Sequence, residues 1–104
     1  MIKEKDIQKQ IIEYLKIKKI FHYRNNTGGF SDKNGGFYRF GEVGSPDIIC
    51  VINGIYTGIE VKIPEGKQSE GQKAFQENLE KAGGKYWLVY SLEDVIDKLI
   101  TLIK

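Results

Sequence analysis

The dipeptide Asn53-Gly54, set between the apolar runs Ile48-Ile49-Cys50-Val51-Ile52 and Ile55-Tyr56 to Val61, constrains this chain more than any other feature. Asn-Gly suits the two left-handed positions of a type I′ turn, so it joins two antiparallel strands through a two-residue reversal. If these are the turn residues, Ile52 faces Ile55, and counting outward brings Asp47 opposite Glu60. Opposed residues on antiparallel strands have Cβ atoms roughly 4.5–5.5 Å apart. Side chains alternate along a strand, so Lys62 shares a face with Glu60. Two carboxylates and an ammonium therefore meet at the open end of one hairpin. Like charges directly opposed destabilise a sheet, and a divalent cation between them removes that cost. The register alone thus makes a metal site the first expectation.

The remaining elements follow from periodicity. Ile7, Ile11, Tyr14 and Leu15 recur at helical spacing, which predicts an amphipathic helix over 3–19. Glu4 falls on the same face as these apolar residues and Glu13 on the opposite one. Ile20 to Arg24 reads as a strand. Residues 25–45 are glycine-rich, interrupted by Phe37-Tyr38-Arg39-Phe40, and are expected to form a long functional loop with one short extended piece. The hairpin should occupy 46–52 and 55–63, with both faces apolar away from Asp47, as in a sheet covered on both sides. Ser69-Glu70-Gly71-Gln72 is a capping-box pattern opening a helix over 70–82, with Gln72, Phe75, Leu79 and Ala82 inward and Gly83-Gly84 ending it. Lys85 to Tyr90 reads as a strand in which Tyr86, Trp87 and Tyr90 are core. Ser91 then starts a last helix with Leu92, Val95, Ile96, Leu99 and Ile103 inward. The order is α-β-β-β-α-β-α in one domain of 104 residues.

Composition removes several functions. A single cysteine, Cys50, allows neither an intrachain disulfide nor a cysteine zinc site, and its apolar run makes it a core residue. The lone His22 cannot support a histidine-rich zinc centre. No apolar run approaches the ~20 residues that span a bilayer, and the charged N-terminus lacks a signal-peptide pattern. An intracellular, cytoplasmic protein with no membrane partner is expected. The paired glycines lack Walker-A spacing, so no nucleotide cofactor is expected. Residues 1–46 carry nine Lys/Arg against five Asp/Glu, whereas 47–104 carry seven against nine. That asymmetry suits a phosphate backbone at the basic half but decides nothing alone.

Pro46-Asp47, a hairpin and Glu60-Val61-Lys62 together resemble the PD-(D/E)XK nuclease signature, in an element order similar to that superfamily's α/β, restriction-endonuclease-like core. Gly44-Ser45-Pro46-Asp47, Gly58-Ile59-Glu60-Val61-Lys62 and Gly66-Lys67-Gln68-Ser69-Glu70-Gly71-Gln72 resemble more narrowly the stand-alone VRR-Nuc domain of viruses and bacteria. The resemblance runs from Glu4 through Arg24-Asn25 to about Val95. It implies a mixed central sheet and a Mg²⁺-dependent endonuclease (with Mn²⁺ as substitute) that acts on DNA, including Holliday junctions and other branched forms, as a homodimer. Asp47 and Glu60 match the metal-binding acids, the Val61 carbonyl a third oxygen ligand, Lys62 the active-site lysine, Glu4 the helix-one acid and Gln72 the motif glutamine. Arg24, Asn25, Lys33, Arg39, Lys67 and Lys73 are the candidates for DNA contact. Plainer roles stand beside these: Asp47 as a turn cap, Glu4 as a helix-start acid, Gln72 as the capping-box partner of Ser69. The rival to catalysis is a nucleic-acid-binding module that keeps the fold without cutting.

Overall fold

The computed structural model describes residues 2–25 and 28–103, the backbone alone at 28–30, 38–40 and 103. The first helix, α1 (Glu4–Ile17), starts where Asp6 Oδ2 accepts the Lys3 N–H at 3.1 Å, which satisfies one orphan donor of the helix start. Strand β1 (His22–Arg24) follows. The chain then makes the excursion β2 (Gly28–Ser31) and β3 (Phe37–Phe40), returns through β4 (Ile48–Ile52) and β5 (Ile55–Val61), and continues with α2 (Glu70–Lys81), β6 (Lys85–Val89) and α3 (Leu92–Ile103).

Four strands form a mixed sheet in the order β1-β4-β5-β6, antiparallel except for β5 and β6, which are parallel and joined by the α2 crossover. The turn behaves as its residues dictate. Asn53 and Gly54 have φ of 53° and 77°, Ile52 pairs with Ile55, and the ladder runs without a slip to Ile48 opposite Ile59. One step further, Asp47 and Glu60 face each other.

The core lies on one side of this sheet. Ile7, Ile11 and Leu15 of α1 and Val95 and Leu99 of α3 pack on Ile48, Cys50, Ile59, Val61, Trp87 and Val89. These are the alternate residues of three strands, which is why α1 carries an apolar stripe at helical spacing opposite strands with period two. Burial pushes the Cys50 thiol up to about 12, so it packs as a small neutral side chain.

Three expectations are corrected. The glycine-rich segment is not a loop with one extended piece but a second, two-stranded sheet, in which Gly28 to Ser31 pair with Phe40 to Phe37. Glycines dilute a strand's sequence signal, whereas the reversal between the strands is built by a side chain: Asp32 Oδ1 accepts from the backbone of Asn34 and Gly36 at 2.9 and 2.7 Å. The sheet's second face is covered only in part. Ile49 and Tyr86 are buried there, but Val51, Phe21 and Tyr23 are 41%, 65% and 49% exposed. Here α2 lies over β6, leaving the β1–β4 side open, and none of its residues is fully buried. Ala82, one residue past the end of α2, is exposed rather than inward, and Tyr90, past the end of β6, is 38% exposed rather than core.

Two glycines allow backbones to meet near the hairpin's open end. A Cβ on Gly58 would collide with the Pro46 ring, and one on Gly44, whose φ is 80°, would collide with the backbone of Gly71 at the start of α2. The segment before Asp47 is thus pressed between β5 and α2. Gly58→Ala is expected to lower stability by about 1–3 kcal/mol through overpacking. Gly35→Ala has open space around the new methyl and meets only the backbone cost of a positive φ. Urea denaturation midpoints of the two variants should show Gly58→Ala as the more damaging.

Candidate metal centre

The sheet and α2 deliver their functional side chains to one end of the hairpin. Asp47 sits one residue before β4, where its Oδ2 accepts the Val61 N–H at 2.8 Å. This side-chain bond continues the β4–β5 ladder past its last backbone pair. It also shows which way Val61 faces. The Lys62 N–H donates to Val89 O on the β6 side, so the N–H and C=O of Val61 point together toward Asp47. Glu60 lies opposite Asp47 and is only 2% exposed.

Gln72 fills both of the roles that its position allows. Its Oε1 accepts the Ser69 N–H at 2.9 Å while the Ser69 hydroxyl accepts the Gln72 N–H at 3.1 Å, a complete capping box. Its Nε2 donates to Glu60 Oε2 at 3.0 Å. The glutamine therefore orients the acid. The Lys62 ammonium lies 3.9 Å from the same Glu60 oxygen, and its side chain is 16% exposed. The turn from Ile63 to Gly66, closed by a 2.8 Å backbone bond, packs Gly66 against the lysine stem.

The electrostatics are those of an acid pair short of positive charge. Burial, then the neighbouring Asp47 charge, pushes the Glu60 carboxyl up to about 8, against which the Lys62 charge acts only in part. Asp47 is also raised, chiefly by burial, although the Val61 N–H opposes the shift. Glu4, half-buried at the start of α1, adds its negative charge to both. No N–H or hydroxyl donor reaches the buried Glu60 Oε1, and the Asp47 and Glu60 carboxyls lie within hydrogen-bonding reach of each other. A buried acid pair is costly when both members are charged, and either a proton held between them or a cation relieves that cost. Among the described residues no three His, Cys, Asp or Glu side chains form a metal cage. Mg²⁺ takes one or two protein carboxylates and keeps several waters. The donor set of Asp47, Glu60 and the Val61 carbonyl fits such an ion, with Glu4 adding charge from the helix.

The DNA-contact candidates separate. Arg24, Lys33, Lys67 and Lys73 are exposed, and Lys73 pairs with Glu70 at 3.6 Å. The side chain of Arg39 lies outside the described residues. Asn25 does a different job. Its Nδ2 donates to Ser45 Oγ at 2.8 Å and to Pro46 O at 2.9 Å, and its backbone N–H donates to Asp47 O at 2.8 Å. Its amide hydrogens are spent inside the protein, so phosphate contact through them is replaced by a structural bond. Ser45 was not legible as a site residue. Its hydroxyl donates onward to Glu42 O at 2.7 Å, and no local pattern links positions 25 and 45. His22 is satisfied by Ile20 O at 2.7 Å from Nδ1.

Comparison of the sequence with protein-family models and with curated proteins gives no match. Comparison of the structure does. A solved structure described as "VRR_NUC domain" superposes with a TM-score of 0.65 over 94% of each chain, at 24% sequence identity. The chain shares the fold of that domain. The mixed sheet and the helices packed on it agree with that fold. Among the described residues no helix is long and apolar enough to cross a membrane.

The acid pair links stability to pH. Folding raises Glu60 from 4.5 to about 8, so the folded chain binds more protons than the unfolded one between these values. Its stabilising contribution is complete below the lower value and lost as pH rises through the upper one, and Asp47 acts in the same direction. Metal-free protein should therefore lose stability from pH 5 to 9, by an amount on the order of a few kcal/mol. Glu60→Gln should flatten that loss, which thermal melts in EDTA across the range will read.

Proposed function

We propose that this chain is a metal-dependent endonuclease that hydrolyses phosphodiester bonds in DNA. The observation that carries the reading is the buried pair Asp47 and Glu60, with no N–H donor at one Glu60 oxygen and Lys62 beside the other. Asp47, Glu60 and the Val61 carbonyl would hold Mg²⁺ or Mn²⁺. When bound, the ion supplies a Lewis acid for the phosphate and a lowered pKa for its water.

The chain's own residues do the rest. Gln72 holds Glu60 Oε2 through Nε2, while Oε1 has no N–H donor. The Val61 N–H holds Asp47 Oδ2 and leaves its second oxygen for the ion. Ligands already held in place need no reorganisation when phosphate charge develops. Lys62, steered by Glu60, donates from Nζ to a phosphate oxygen or to the attacking water and offsets the charge that builds on phosphorus. Glu4 tightens the demand for a cation by adding a third negative charge. Exposed Arg24, Lys33 and Lys67 supply phosphate contacts along the DNA backbone.

The shared VRR_NUC fold and the sequence resemblance favour branched DNA as the substrate and a two-fold dimer as the working form. A two-fold pair presents two sites to two strands.

The test is a cleavage panel of single-stranded, duplex, flap and four-way DNA with Mg²⁺, Mn²⁺ or EDTA. Wild type should cut at least one branched substrate with either metal and none in EDTA. Asp47→Ala and Lys62→Ala should each cut about 10²-fold more slowly or worse, with unchanged circular dichroism. An Asp47→Ala protein that cuts a four-way junction as fast as wild type would refute the mechanism. Binding to every DNA with no metal-dependent product would favour the non-cutting module.

A further inference from the structure

We propose that Asn25 is a positioning residue for the metal centre, and that it acts through Ser45 and Pro46 on Asp47; this rests on reading Asp47 as a metal ligand. Asn25 stands at the last residue before the β2–β3 excursion, and Ser45 stands where that excursion ends. Three bonds from Asn25 join these two feet: Nδ2 to Ser45 Oγ, Nδ2 to Pro46 O, and the backbone N–H to Asp47 O. No β-ladder pair extends past Arg24 and Ile48, so these bonds take over where the β1–β4 pairing stops.

The geometry explains why the side chain must be an amide. Both acceptors reach the same nitrogen. Ser45 Oγ has given its own hydrogen to Glu42 O, so it can only accept from Asn25. Pro46 O is a carbonyl and has nothing to donate. One NH₂ group with two hydrogens satisfies both, and a carboxylate of the same shape satisfies neither. Pro46 is at the same time pressed on Gly58, so its peptide can turn little. With the Pro46 carbonyl held by the Asn25 side chain and the Asp47 carbonyl held by the Asn25 backbone, the two peptides that flank the Asp47 Cα are each held. The direction in which the Asp47 side chain leaves the backbone follows from those two peptides. Partners that orient a metal ligand typically govern affinity by 10–100-fold.

This role differs measurably from phosphate contact. The readouts are Mn²⁺ affinity by calorimetry on EDTA-stripped protein, and affinity for a four-way junction in EDTA, where nothing is cut. Asn25→Ala and Asn25→Asp are expected to bind Mn²⁺ about 10-fold or more weakly while DNA affinity in EDTA stays within about two-fold. Ser45→Ala, which removes one of the two acceptors, should fall between them and wild type, and it serves where an Asn25 variant fails to fold. Asn25→His, which returns one ring N–H donor, should recover part of the loss, as a general loss of stability would not. Unchanged Mn²⁺ affinity in Asn25→Ala and Ser45→Ala overturns the inference but leaves the centre intact, provided that Asp47→Ala abolishes binding. Weaker DNA binding with unchanged Mn²⁺ affinity overturns it in favour of phosphate contact. If wild type takes up no Mn²⁺, the metal reading falls and this inference with it.

Discussion

The bond from the Val61 N–H to Asp47 Oδ2 is the interaction on which the candidate site depends. It occurs where β4 has run out of backbone pairing, so a side chain takes the place of a ladder carbonyl. The exchange holds one carboxylate in the plane of the sheet, close to a second one that the strand alternation cannot turn away. The fold thereby concentrates negative charge where its own hydrogen-bonding capacity ends. A slip of one residue in the hairpin would send Asp47 and Glu60 to opposite faces and disperse that charge. The Asn53-Gly54 reversal prevents the slip, since both residues hold the left-handed conformation that a two-residue turn needs.

Around that bond the second layer is polar but sparse. Glu60 has Gln72 and Lys62 at one oxygen and no N–H donor at the other, with the Asp47 carboxyl beside it. Were the acid only a structural ion-pair partner, Lys62 would be expected to relieve it, yet the carboxyl stays raised to about 8. One ammonium at 3.9 Å does not offset burial, Asp47 and Glu4 together. A site that remains short of positive charge after all its own groups have been placed is the reason for proposing a cation there.

Much of this was written in local sequence. The turn, the register, the capping box at Ser69 and Gln72 and the apolar stripe of α1 each lie within a few residues and obey a fixed period. What escaped has a longer range or a weaker signal. Gly28 and Gly29 obscured β2, and the Asp32 side chain that closes the hairpin acts through backbone groups that no spacing reveals. The exposure of Val51 and Tyr23 escaped because an apolar alternation says that a face can be covered, not that a helix long enough to cover it will lie there; α2 covers β6 and stops. At Asn25 the sequence suggests a DNA contact, and the structure shows an internal bond. Its partners, some twenty residues away, become neighbours only when β1 pairs with β4.

The glycines give that long-range order its mechanical sense. Gly58 admits the Pro46 ring and Gly44 admits the first turn of α2, so the strand carrying Asp47 and the helix carrying Gln72 are held at contact distance by the absence of two methyl groups. The capping box then fixes the angle at which Gln72 leaves the helix. Neither glycine carries chemistry, yet the Gln72–Glu60 bond exists only at the separation they allow. The centre is therefore better described as three backbone segments brought into contact than as a set of acids on a scaffold. Its chemistry is expected to fail by loss of spacing as readily as by loss of a ligand.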